Sequence, residues 1–267
     1  MPTKGRSTLD PLAPDRDDRG VIEKVVVPLD GSSLSASALG PGGSLADAMN
    51  ASLLLMTTRW DDEVGGAREY LEKQAAALGI DRVKTAIVHY RFAPEAILVA
   101  GRDPGTVVCM ATHGRGGLGR PVLLVGPSVD RGAWQSAHWF AHGNLLVPLD
   151  GSKTAEAMVP IAADWAAMLD LRSWVVQVLP APEGAVPGRD TESAYVRAQA
   201  KRMDHRGSEA QWEVLHATNV ADALVMHAGR LPASLVAMST HGRTGLARVV
   251  LGSVALRVVH ESPCPCS

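Results

Sequence analysis

Short runs of consecutive apolar residues alternate along this chain with longer stretches whose apolar positions recur at helical spacing. Val25-Val26-Val27 is β-branched and uninterrupted, which predicts a strand buried on both faces. The small-residue stretch from there to Asn50 predicts a helix that Gly40-Pro41-Gly42-Gly43 should break or shorten. Strands follow at Leu53–Met56, Thr85–His89 and Thr106–Met110, with helices at Glu69–Leu78 and Pro94–Ala100. The same order then returns. Leu145–Val147, Trp174–Leu179, Trp212–Leu215 and Leu235–Met238 read as strands. Ala155–Leu169, Ser193–Met203, Ala221–Gly229 and Val254–His260 read as helices. Strands alternating with helices predict an α/β fold: a parallel sheet covered on both faces, with right-handed crossovers.

The second half repeats the first in letters as well as in pattern. Val27-Pro28-Leu29-Asp30-Gly31-Ser32 returns as Val147-Pro148-Leu149-Asp150-Gly151-Ser152. Ala111-Thr112-His113-Gly114-Arg115 is echoed by Ser239-Thr240-His241-Gly242-Arg243. Two motifs in one order at nearly one offset predict a tandem duplication of a single domain. The expected organisation is a disordered leader over 1–20, a first domain over 21–128, a linker over 129–143 and a second domain over 144–267. Trp134 and Trp139 suggest that the linker packs on the protein and is not a free tether.

Composition narrows the partners. With aromatics at 4% of the chain, the core must be built mostly of Ala, Val and Leu. A net charge of −2 without a basic stripe disfavours nucleic acid, which needs clustered Lys and Arg. No run approaches the roughly 20 apolar residues of a membrane span, and the start lacks a signal-peptide pattern. A cytoplasmic location is therefore expected. Cys109 lies in an apolar run and reads as a buried thiol, whereas Cys264-Pro265-Cys266 reads as a frayed tail. No His/Cys group has metal-ligand spacing, so no metal site is expected.

Both repeated motifs fall where an open parallel sheet binds ligands, beyond the carboxyl ends of strands. Asp30 and Asp150 each follow the first strand of a copy. Such a carboxylate can hold a ribose or an adenine amino group, or simply turn the chain and cap the next helix; the residues leave both open. The stronger signal follows the last strand of the second copy. Gly242 permits a tight turn, nine residues intervene, and Gly252-Ser253 then opens an apolar helical stretch. Backbone amides, the Ser253 hydroxyl and the helix dipole make a seat for phosphate, to which Arg243 can add charge. His113 and His241 occupy matching loops and can contact phosphate or hydrogen-bond their own backbone. A triad of Asp150, His241 and Ser253 is discounted because no nucleophile elbow is present, and there is no Walker loop. No catalytic residue is assigned, and the chain is not expected to be an enzyme.

The region from about 21 to 267 resembles the universal stress protein family in its tandem form. The residues carrying the likeness are Val147–Ser152, Ser239–Arg243, Leu251-Gly252-Ser253-Val254 and Ser262-Pro263-Cys264-Pro265. The resemblance implies two tandem open parallel-sheet domains of Rossmann-like, adenine nucleotide alpha hydrolase-like type. It also implies a dimer or intramolecular pseudo-dimer, and ATP, with or without Mg, held by a Gly-x-x-Gly-x9-Gly-Ser/Thr loop. Carried over, Pro148, Asp150 and Val178 line the adenosine, and Met238 touches the base. Gly242, Gly252, Ser253 and Val254 cradle ribose and phosphates, and Ser239 stands at the pattern's first glycine.

The copies depart from that pattern in complementary ways. The first copy has Leu124 and Val125 nine residues after Gly114, where Gly and Ser belong. Pro121–Val125 aligns instead with the family's last strand, so this copy lacks the phosphate loop and its helix. The second copy keeps that helix and lacks the strand. Val122–Val125 is therefore expected along the edge of the second sheet or at the junction between copies, where it would blunt an open edge. The leading functional expectation is an ATP-binding regulator of the stress response with one competent site, in the second copy, acting on an unknown protein partner. The alternative is a nucleotide-free scaffold of the same fold.

Overall fold

The computed structural model describes residues 22–59, 64–89, 93–111, 122–126, 128–129, 143–180, 189–204, 210–231, 233–239 and 252–266. The first copy runs β1 (Lys24–Pro28), α1 (Ser33–Ala36), α2 (Leu39–Ala48), β2 (Ser52–Arg59), α3 (Val64–Leu78), β3 (Val83–His89), α4 (Ala93–Ala100), β4 (Thr106–Ala111) and β5 (Val122–Val125). The second runs β6 (Asn144–Pro148), α5 (Lys153–Glu156), α6 (Met158–Leu169), β7 (Arg172–Pro180), α7 (Arg189–Met203), β8 (Gln211–Ala217), α8 (Val220–Arg230), β9 (Ala233–Val236) and α9 (Ser253–Glu261). All named strand pairs are parallel, in the orders β3-β2-β1-β4-β5 and β8-β7-β6-β9. Both are doubly wound sheets with the first strand central, as the alternating pattern predicts. The predicted leader and most of the linker lie outside the described residues, as do His113, Gly114 and His241.

The duplication extends to backbone detail. Asn50 and Asp170, which end the first long helix of each copy, both adopt left-handed φ, at 54° and 53°. Gly31 and Gly151 turn the chain after the matched aspartates at φ 87° and 81°. In each copy the expected first helix forms as two pieces, parted at Ser37–Ala38 and at Ala157. The cause is Pro41 and Pro160, each at the third position of the second piece. Proline donates no bond to the residue four back and crowds its carbonyl, so a continuous helix fails there. The expected break therefore occurs, but ahead of the Gly40–Gly43 motif, and α2 runs through its glycines. A Cβ on Gly42 would stand 2.6 Å from Val27 Cγ2 and 3.4 Å from Cys109 Cβ, so its bare backbone lets α2 lie close on β1 and β4.

The copies meet at the edge that each leaves open. Cys266 bridges antiparallel to Leu124 of β5 and parallel to Val236 of β9. Leu124 N donates to Cys266 O at 2.6 Å and Cys266 N returns a bond to Leu124 O at 2.9 Å, while Val236 N donates to Pro265 O at 2.9 Å. A single bridging residue stands where the second sheet would carry a fifth strand, and β5 of the first copy lies just beyond it. The segment expected to fray is thus pinned, with Cys264 and Cys266 buried. The core is continuous across this joint. Val125 and Val129 pack with Leu145 and Val147 in one cluster, and Leu124 packs with Val236 and Val258 in another.

Candidate functional site

At the carboxyl end of the second sheet lies a cavity of about 410 Å³. The tips of β6 and β7, the start of α8, the segment after β9 and the first turn of α9 surround it. Eight residues expected at a ligand site line it together: Pro148, Asp150, Val178, Met238, Ser239, Gly252, Ser253 and Val254. Gly242 and Arg243 lie outside the described residues. Gln177, Leu179, Pro180, Val220 and Leu224 also line the cavity. Sequence reasoning took only Val178 from the tip of β7. The period of two along a strand signals that Gln177 and Leu179 face opposite to Val178, so only closure by neighbouring elements brings all three to one hollow.

Asp150 has the structural role that its sequence context allows, and it also stands at the cavity. Its Oδ1 accepts the Ser152 N–H at 2.9 Å, and Ser152 Oγ accepts the Ala155 N–H at 3.1 Å, so the Asp-Gly-Ser turn caps α5. The same half-buried carboxylate lines the cavity. Tyr195 on α7, which the sequence reading missed, has a buried hydroxyl that feels the Asp150 charge. Burial first, then the carboxylates of Glu156 and Asp150, push its hydroxyl up to about 12. Tyr70 on α3 is its counterpart, raised by burial and by the charge of Asp30. The matched helix positions of the two tyrosines were the available signal.

The opening of α9 differs from that of its neighbours. Helix α8 has Asn219, whose Oδ1 accepts the Ala221 and Asp222 N–H groups at 3.1 and 3.3 Å. Helix α9 starts at Gly252 with no side chain among the described residues capping its first turn, and Gly252, Ser253, Val254 and Ala255 line the cavity. Gly252 sits at φ −59° and ψ 154°, a conformation open to any residue. Backbone strain therefore does not require glycine at this position. First-turn amides without a partner among the described residues, together with the helix dipole, make this end of the cavity receptive to an anion.

The first copy has the corresponding hollow, lined by Pro28, Asp30, Thr57, Thr58, Ile97 and Met110 among others, but its volume is about 170 Å³. Asp30 is exposed there, and hydrogen bonds from the Ser32 and Ser35 side chains hold its carboxyl below the usual range. Ten residues separate β4 from β5, all of them outside the described residues.

Fold and cavity define a tandem open-sheet α/β protein whose second copy carries a cleft with one anion-receptive end. The universal stress protein family model matches residues 142–266. A curated universal stress protein of Methanocaldococcus jannaschii is 28% identical over 133 residues, spanning 45% of this chain and 78% of that one. Among solved structures, a universal stress protein from Archaeoglobus fulgidus superposes with a TM-score of 0.62 at 15% identity, covering 91% of this chain and 96% of that one. A functionally unknown protein from Pseudomonas aeruginosa gives 0.59 at 16% identity, covering 92% and 91%. These two likenesses run across both copies and show a shared fold. The likeness to the universal stress protein family is thus carried in sequence by residues 142–266.

Proposed function

We propose that the second copy binds an adenine nucleotide, ATP in the first instance, and that the protein works as a nucleotide-dependent regulator or interaction module in the stress response. The observation that carries this reading is the pairing, across one cavity, of the Asp150 carboxylate with the uncapped start of α9. A carboxylate accepts hydrogen bonds from a ribose or an exocyclic amine, and free amides at a helix start take phosphate. The wall between them is apolar, with Val178, Leu224 and Met238 suited to the faces of a base. The volume falls among small-molecule sites, which span about 300–1,000 Å³. A magnesium ion arriving with ATP would be held by phosphate oxygens and water.

In this reading the cavity residues bind and orient, and none among the described residues is assigned as a base for water, so the function is binding without efficient turnover. Isothermal titration of the purified protein with ATP tests it, alongside mass spectrometry of any copurifying nucleotide. Gly252→Val places a branched side chain at the helix start without straining the backbone. It should weaken ATP by at least about tenfold, the loss of one hydrogen bond to a charged group. ATP binding that is absent, or indifferent to Gly252→Val, overturns the proposal and favours a nucleotide-free scaffold.

A further inference from the structure

The end of α9 remote from the cavity is held by the first copy. Ser128 Oγ donates to the His260 carbonyl at 2.7 Å, in the last turn of α9, where carbonyls lack intrahelical partners. Gly126 passes so close that a methyl group on it would stand 1.7 Å from the Val259 carbonyl oxygen and 2.8 Å from its carbon. Both are backbone atoms, so no change of rotamer relieves the overlap. Leu124, two residues earlier, packs with Val258 and Val259 and is bonded in both directions to Cys266, just beyond the helix. One short stretch of the first copy therefore fixes where the C-terminal end of α9 lies.

The N-terminal end of this helix offers its amides to the cavity. With nine residues at about 1.5 Å each, α9 is a rod about 13 Å long. A displacement at one end of a hydrogen-bonded rod reaches the other end. We propose that the first copy sets the phosphate affinity of the second copy's site by clamping α9, with Gly126 and Ser128 as positioning residues that touch no ligand. The inference rests on the nucleotide reading above. By linkage, a phosphate ligand that binds better to the clamped helix must tighten the joint by the same factor.

The test uses the full chain as wild type, Gly126→Ala, Ser128→Ala and Ser128→Thr, titrated with ATP and with adenosine. Gly126→Ala should weaken ATP about tenfold, a usual size for coupling between sites, and leave adenosine unchanged. Ser128→Ala should give a smaller loss confined to ATP, and Ser128→Thr, which keeps the hydroxyl, should restore it. In wild type, saturating ATP should slow hydrogen exchange at the Leu124 and Cys266 amides. Equal weakening of ATP and adenosine marks a general packing defect and overturns the clamp, as does ATP affinity unchanged in every variant. Should Gly126→Ala fail to fold, the Ser128 pair decides alone. A wild type that binds neither ligand overturns the nucleotide reading, and this inference with it.

Discussion

Asp150 shows how one side chain serves structure and site together. One carboxylate oxygen holds the Ser152 amide, and the group also borders the cavity. Asp150→Ala should weaken adenosine as well as ATP, by about 1.5–3 kcal/mol if the lost bond is to the charged carboxylate. Titration calorimetry with both ligands separates this from a Gly252 lesion, which acts on phosphate. His227 makes a different prediction. Its ring is buried edge-on against Trp174, with Nε2 3.5 Å from Glu213 Oε2. Burial lowers its proton affinity, opposed by Glu213 and assisted by Arg230. The unfolded chain then binds the proton more readily, so stability is full above the ordinary histidine range and declines as pH falls below about 6.5. Urea midpoints at pH 7.5 and 5.5 should differ more for wild type than for His227→Phe.

At the scale of elements, most of the fold was legible. Strands such as Val25–Val27 and Leu145–Val147 are apolar on both faces, which only a covered parallel sheet explains. Helix ends were less so. Helices α3 and α7 begin at Val64 and Arg189, several residues ahead of the expected Glu69 and Ser193: Gly65 and Gly66 argue against a helix in the first turn of α3, and the polar Arg-Asp-Thr-Glu opening of α7 leaves no periodic signal. The glycines of α2 stay helical, and at Gly42 the low helix propensity is outweighed by the close approach to β1 that it permits. Gly42→Ala should accordingly destabilise by about 1–3 kcal/mol despite alanine's better propensity, read as a shifted urea midpoint. Ser152→Ala should cost about 1 kcal/mol through the lost cap on α5.

At the scale of the whole molecule, the joint between copies is the decisive feature. Complementary losses predict contact between Val122–Val125 and the second sheet, and β5 does lie beside it, but with Cys266 interposed as a one-residue bridge. Letters alone could not place that bridge, since two bonds to Leu124 and one to Val236 arise only once both sheets stand edge to edge. Deleting residues 121–126 should uncover the β9 edge and strip Leu124 from the second core. The expected outcome is aggregation, seen by light scattering of the purified protein; a monodisperse product would contradict it.

The chain's letters by themselves determined the duplication, the alternating α/β order and the candidates for one ligand cavity, because period, propensity and turn chemistry act over a few residues. Tertiary structure alone decided that Gln177, Leu224 and the uncapped turn of α9 share a hollow with Asp150, and that the far end of that helix rests on the other copy. Those contacts join positions dozens of residues apart, and their geometry exists only after both sheets have twisted, packed and met.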